Sequence, residues 1–247
     1  MVKDLTKYGL GLLTVFFAYL ISIFGFKDGK PTCNNYVINV YLYLAISLLV
    51  LGLLSTYIPW EKMHIHPLLV FVCSIVFVIL LSLQKDFQKD TNQVIYSHIY
   101  FALFVLSISG TFWIYLKHSS FKPYINSTIL IVSLIFTFMS MLVYLYPSFF
   151  ENTYSQITTG LLMTLLIIII IELFSLFFTN KYYGSSMHKI VSYIVILVFS
   201  LFVSYDTSRV FKLADMCKNY PNYPKTSVSF FLDVINLFAR IISLKSR

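Results

Sequence analysis

The chain has 247 residues, of which 58% are hydrophobic, 18% aromatic and only 11% charged, and its mean hydropathy is +0.81. A water-soluble fold has nowhere to hide that much apolar surface, so an ordinary soluble domain is excluded. The net charge of +8 does not point to nucleic acid, because the basic residues are scattered through loops at helix ends, where they anchor to lipid headgroups.

A bilayer core takes roughly 20 mostly apolar residues per helix, and runs of that length follow one another along the chain. Tyr8 to Phe26 carries no charge and forms the first helix; Tyr36 to Ile58, within the uncharged stretch Pro31 to Trp60, forms the second. Met63 to Gln84, centred on His66 to Leu83, is the third, and Val94 to Leu116 the fourth, ending in the interfacial pair Trp113 and Tyr115. Tyr124 to Tyr146 is the fifth. Thr153 to Thr179 is the sixth, with one acid, Glu172. The seventh runs from about Lys189 to Val210 and contains Asp206; the last, Thr226 to Leu244, contains Asp233 and Arg240. Connections are short and leave no room for an independent soluble domain. Lys3 and Lys7 before the first helix give it the charge pattern of a signal peptide, but its apolar run is long and no small-x-small cleavage site stands out, so it reads as a retained helix.

Loop parity assigns the basic residues to sides. With eight crossings, one face carries Lys3, Lys7, Lys62, Lys117, Lys122, Lys181, Lys189, Arg240, Lys245 and Arg247, ten in all, and the other carries Lys27, Lys30, Lys85, Lys89, Arg209, Lys212, Lys218 and Lys225, eight. If the last helix dips in and returns, Arg240, Lys245 and Arg247 change sides and the balance becomes seven against eleven, with the loops at 27–35 and 211–225 in the cytosol. Both orientations stay open. Cys33 and Cys217 share a face either way, so a disulfide is geometrically open if that face is lumenal, whereas Cys73, mid-helix, reads as a small packing residue. The sequon Asn126-Ser127-Thr128 sits too near a helix start for a good glycan acceptor.

Ionisable side chains inside a membrane are costly unless they face water or a partner, and so mark function. Glu172 reads equally as a cavity-lining or an interfacial acid. Asp206 lies in Tyr205-Asp206-Thr207-Ser208-Arg209, where Arg209, one turn on, is a local counter-charge. Asp233 has no such neighbour. Helical spacing places Asp233, Asn236 and Arg240 on one stripe that must turn inward, with Tyr205, Asp206 and Thr207 of the preceding helix as natural partners. Two carboxyls held close in low dielectric cannot both ionise easily, so the pair shares a proton and titrates as one unit. Once deprotonated, hard carboxylate oxygens in a wet pathway suit Ca²⁺. His64 and His66 lack further ligands and read as solvated; His98 reads as a hydrogen-bonded packing residue, and Trp60 and Trp113 as interfacial anchors.

Tyr205-Asp206-Thr207, followed by Phe231-Leu232-Asp233-Val234-Ile235-Asn236-Leu237-Phe238, resembles the signature of the transmembrane Bax inhibitor motif family, nearest its Lifeguard and Golgi anti-apoptotic branch. Tyr36-Val37-Ile38-Asn39-Val40-Tyr41 is similar to the start of that family's first core helix, so the likeness covers roughly residues 36–244. The resemblance implies an all-α polytopic bundle: a seven-helix core over 36–244 with a central C-terminal helix, preceded over 1–30 by one additional transmembrane helix. It further implies a pH-sensitive Ca²⁺ leak from internal stores, in the endoplasmic reticulum or Golgi, and protection against cell death, with Asp206 and Asp233 matching the family's paired aspartates and transiently contacting the ion. Tyr205, Thr207, Arg209, Asn236 and Arg240 would support the pair, and Lys85 stands near the place of a basic partner in the family. Ser208 departs from the glutamine or histidine common there.

The expected partners are lipid, calcium as the permeant ion, and membrane proteins that regulate cell death; no cofactor and no enzymatic turnover are expected. Two other readings use the same residues. A non-conducting scaffold that regulates death or stress proteins fits the same fold. An intramembrane aspartyl protease fits Tyr205-Asp206, but Phe231-Leu232-Asp233 lacks the glycine that admits a substrate backbone.

Overall fold

A computed structural model describes residues 2–63, 67–150, 159–168, 170 and 186–246. Among these the α-helices are α1 (Val2–Gly25), α2 (Tyr36–Tyr57), α3 (Pro67–Ser82), α4 (Thr91–Lys117), α5 (Ile125–Leu145), α6 (Thr159–Ile168), α7 (Ser186–Asp215) and α8 (Tyr223–Lys245). Five segments, Tyr36–Tyr57, Thr91–Lys117, Lys122–Leu145, His188–Asp215 and Tyr223–Lys245, are long and apolar enough to cross a membrane, and Gly9–Gly25, Leu69–Ser82 and Thr159–Ile168 are shorter apolar helices. The chain is an all-α, multi-pass membrane protein.

Polarity is distributed accordingly. Leu12, Phe16, Phe71, Ile79, Leu134 and Leu197 are exposed, whereas Asn39, Ser55, Ser74, Ser97 and Ser109 are buried. Apolar residues outside and hydroxyls or amides between helices is the arrangement that lipid demands, since only a polar group turned inward finds a hydrogen-bond partner.

Several ends differ from the sequence reading, and caps explain two of them. Asp90 accepts from the Asn92 amide at 3.0 Å, so α4 begins at Thr91, not Val94. Asn222 Oδ1 accepts from the Lys225 amide at 3.2 Å, and Pro224 is tolerated in a first turn whose amides have no intrahelical acceptor, so α8 starts at Tyr223 rather than Thr226. α8 is then continuous for 23 residues. A helix of that length reaches about 34 Å, long enough to cross a bilayer in one pass. Every residue of α8 is buried or half-buried, as befits a central helix.

The chain divides into two compact units. The first comprises residues 1–118 and 210–231. In it β1 (Phe26–Lys27) pairs antiparallel with β2 (Lys30–Pro31), across Asp28 and Gly29 with φ of 52° and 74°, the left-handed pair a tight hairpin requires. β3 (Phe87–Gln88) pairs with β4 (Tyr220–Pro221). Cys33 and Cys217 form a disulfide with Cα atoms 5.8 Å apart. The α1–α2, α3–α4 and α7–α8 turns therefore meet at one end of this unit. Inside it, Tyr223 donates to the Thr32 carbonyl and accepts from the Asn39 amide at 3.0 Å, Ser227 donates to the Val40 carbonyl at 3.1 Å, and Phe231 meets Phe101 and Phe104 edge-on at 5.8 and 5.4 Å. At the opposite end Glu61 pairs with Lys117, which also lies 4.9 Å over the Trp113 ring.

The second unit comprises residues 119–209 and 232–247. Its described helices are α5, α6, most of α7 and the second half of α8. Lys245 Nζ donates to Ser127 Oγ at 2.8 Å, which ties the end of α8 to the start of α5.

Candidate functional site

Both aspartates belong to the second unit, and both helices that carry them are apolar on either side. In α7, Val203 and Val210 flank Asp206; in α8, Phe230, Leu237 and Ile241 share the buried side with Asp233. Asp206 is only 6% exposed and Asp233 5%, so each carboxyl is held in the interior by the packing of its own helix. The two lie within Coulombic reach of one another, the charge of Asp206 acting on Asp233. Asp233 Oδ2 is buried and has no hydrogen-bond partner among the described residues. Thr128 Oγ1 of α5 and Ser192 Oγ of α7 share that condition. Buried polar atoms of this kind ordinarily find a water or an ion.

The supporting residues divide. Thr207, 1% exposed, shares a hydrogen bond with Ser140 of α5 at 3.2 Å, so α5 braces the turn that carries Asp206. Ser140 was not foreseen; in an apolar helix rich in serine and threonine nothing local distinguishes it. Tyr205, Arg209 and Arg240 are half-buried. Asn236 donates to the Leu232 carbonyl of its own helix at 2.8 Å, satisfying itself locally rather than reaching Asp233. Lys85 belongs to the first unit, where its side chain is exposed and its carbonyl accepts from Asn222 Nδ2 at 3.1 Å. The cation built into that turn is Lys225, which donates to the Gln84 carbonyl and lies 3.8 Å from Asp86.

Other expectations resolve simply. His98 Nδ1 is 2.8 Å from the Val94 carbonyl and its ring packs against Phe26 and Tyr43, a packing residue. Cys73 is a free, half-buried cysteine. The sequon lies in the first turn of α5, with Thr128 buried. Glu172, His64 and His66 lie outside the described residues. Among the described residues no three His, Cys, Asp or Glu side chains come together to hold a metal.

The fold and site together define a multi-pass membrane protein with a buried pair of acids between two of its helices. Residues 33–246 match the family described as inhibitor of apoptosis-promoting Bax1. That match spans well over half of the chain, and the protein belongs to the Bax inhibitor-1 family. It begins at Cys33, beyond α1. No curated relative matches the chain.

Proposed function

We propose that this protein is a passive Ca²⁺ leak of an internal membrane, in the endoplasmic reticulum or Golgi, controlled by a proton shared between Asp206 and Asp233, and that through store calcium it restrains cell death. What supports this reading is the pair itself: two carboxyls buried in neighbouring membrane helices, close enough to act on each other. Isolated charges do not survive there, so a shared proton relieves both desolvation and repulsion. Loss of that proton leaves carboxylate oxygens that repel one another and attract a hard divalent cation. Thr128 and Ser192 add buried hydroxyls that can line a wet route. The ion passes without covalent chemistry, so no turnover is required.

The test is Ca²⁺ flux in proteoliposomes across pH, comparing wild type with Asp206→Asn and Asp233→Asn. A shared proton requires the pH profile to change in both variants, because removing either carboxyl abolishes the coupling. Absence of flux in every variant would leave the scaffold reading. Cleavage of a co-reconstituted membrane peptide, lost with either aspartate, would point to proteolysis.

A further inference from the structure

Where the β1–β2 hairpin comes against α4, the first unit holds a cavity of about 390 Å³. Phe26 and Pro31 form one wall, and Ile95, His98, Ile99 and Ala102 the other. Ile95, Ile99 and Ala102 are exposed, so the cavity opens on a face that α4 turns toward lipid. Phe26 and Pro31 precede Cys33, where the family match begins, and one wall therefore comes from outside the matched region. No Asp, Glu, Lys or Arg lines the cavity; its polar side chains are His98 and, at the start of α4, Thr91. His98 is held in place, its ring packed against Phe26 and Tyr43. A carbonyl can only accept, so Nδ1 donates to Val94 at 2.8 Å, and a neutral ring then offers Nε2 as an acceptor. Nε2 makes no hydrogen bond among the described residues.

We propose that this cavity is a binding site for a membrane sterol, whose single hydroxyl donates to His98 Nε2 while its apolar body fills the space between the hairpin and α4. Three features of the site select that occupant. Walls without a formal charge suit a neutral ligand, and one open acceptor suits one donor. A diacylglycerol would bring two ester carbonyls as well, against a lining whose other hydroxyl donor is Thr91, and an acceptor buried without a partner is costly. The volume lies at the small end of the roughly 300–1,000 Å³ typical of ligand cavities, which fits one rigid ring system better than two chains. Depth agrees with this. The 27 residues of α4 reach about 40 Å against roughly 30 Å of hydrocarbon. His98 lies about two turns from the helix start, and its bond to Val94 turns the ring back toward that start. The open nitrogen thus sits near the level where hydrocarbon meets headgroups, which is where the hydroxyl of a neutral lipid resides.

The experiment uses the full-length chain in phosphatidylcholine vesicles, with cholesterol carrying a diazirine in its ring system as the photoreactive probe and labelled peptides read by mass spectrometry. Label should fall within residues 26–31 and 91–102 and be competed by cholesterol. Cholesterol methyl ether cannot donate a hydrogen bond and should compete about fivefold less well, the worth of one neutral hydrogen bond. That comparison uses the unaltered chain, so it does not depend on any variant folding. His98→Phe keeps a packed ring but no acceptor and should erase the preference for cholesterol over its ether. Ala102→Trp, at an exposed position, fills the cavity and should abolish competable labelling with the thermal midpoint unchanged. Equal competition by the ether in the wild type, or full labelling of Ala102→Trp, overturns the site. Label spread without competition over the lipid-facing residues of α3 and α5 means partition into the bilayer alone and also overturns it. Stronger competition by dioleoylglycerol than by cholesterol overturns the sterol as occupant.

Discussion

At the scale of single residues, burial without a partner is the observation that carries chemistry. Asp233 Oδ2 is enclosed and unbonded among the described residues, while Asn236, three residues on, turns back to its own helix. A polar residue on the expected stripe is therefore no guarantee of a role at the site. The brace on Asp206 is Thr207, and Thr207→Val should remove the bond to Ser140 and lower stability in detergent by about 1 kcal/mol, measurable as a shifted thermal midpoint. Because that change also frees the turn carrying Asp206, the pH profile of flux should shift with it. Tyr223 is a heavier case: its hydroxyl serves both Thr32 and Asn39 and is fully enclosed. Tyr223→Phe should cost about 1–3 kcal/mol, since two buried groups lose their partner together.

At the scale of elements, helix identity follows from composition, and helix ends follow from chemistry that lies outside the apolar runs. Asn222 begins α8, bonds the Lys225 amide, and also reaches Lys85 and Ser97. Asn222→Ala should accordingly cost more than a simple cap, about 2 kcal/mol, read by chemical or thermal unfolding. Close helix approach sets another limit. A Cβ on Gly110 of α4 would stand 3.1 to 3.4 Å from the Trp60 ring, so Gly110→Leu should push the indole away, and the change is readable as altered Trp60 fluorescence in a Trp113→Phe background.

At the scale of the whole molecule, the disulfide closes a very long stretch of chain. Restricting the unfolded ensemble over such a loop is worth about 2–5 kcal/mol, so Cys33→Ser or Cys217→Ser should lower the thermal midpoint, and a reductant should do the same to the wild type while leaving the serine variants unchanged. The bridge belongs to the first unit and the aspartates to the second, with α7 and α8 running through both. Tension between stability and gating is thus testable: if the bridge only stabilises, reduction lowers the midpoint with no change in the flux profile.

Uncharged runs of bilayer length determined the class of fold from the sequence alone, because hydrocarbon leaves the backbone almost no choice but helix. That the two aspartates turn inward was legible for the same reason, since an acid in such a run is too costly to leave facing lipid. Ser140, Thr128 and Ser192 were not, because hydroxyls in membrane helices usually bond their own turn, as Ser47 and Ser55 do here, and only packing reveals which do not. Likewise, a shared face made the Cys33–Cys217 bridge conceivable, but the approach of two turns far apart in sequence decided it. That α8 runs unbroken through Asp233, Asn236 and Arg240, with every residue buried or half-buried, was decided by packing that residue order cannot express.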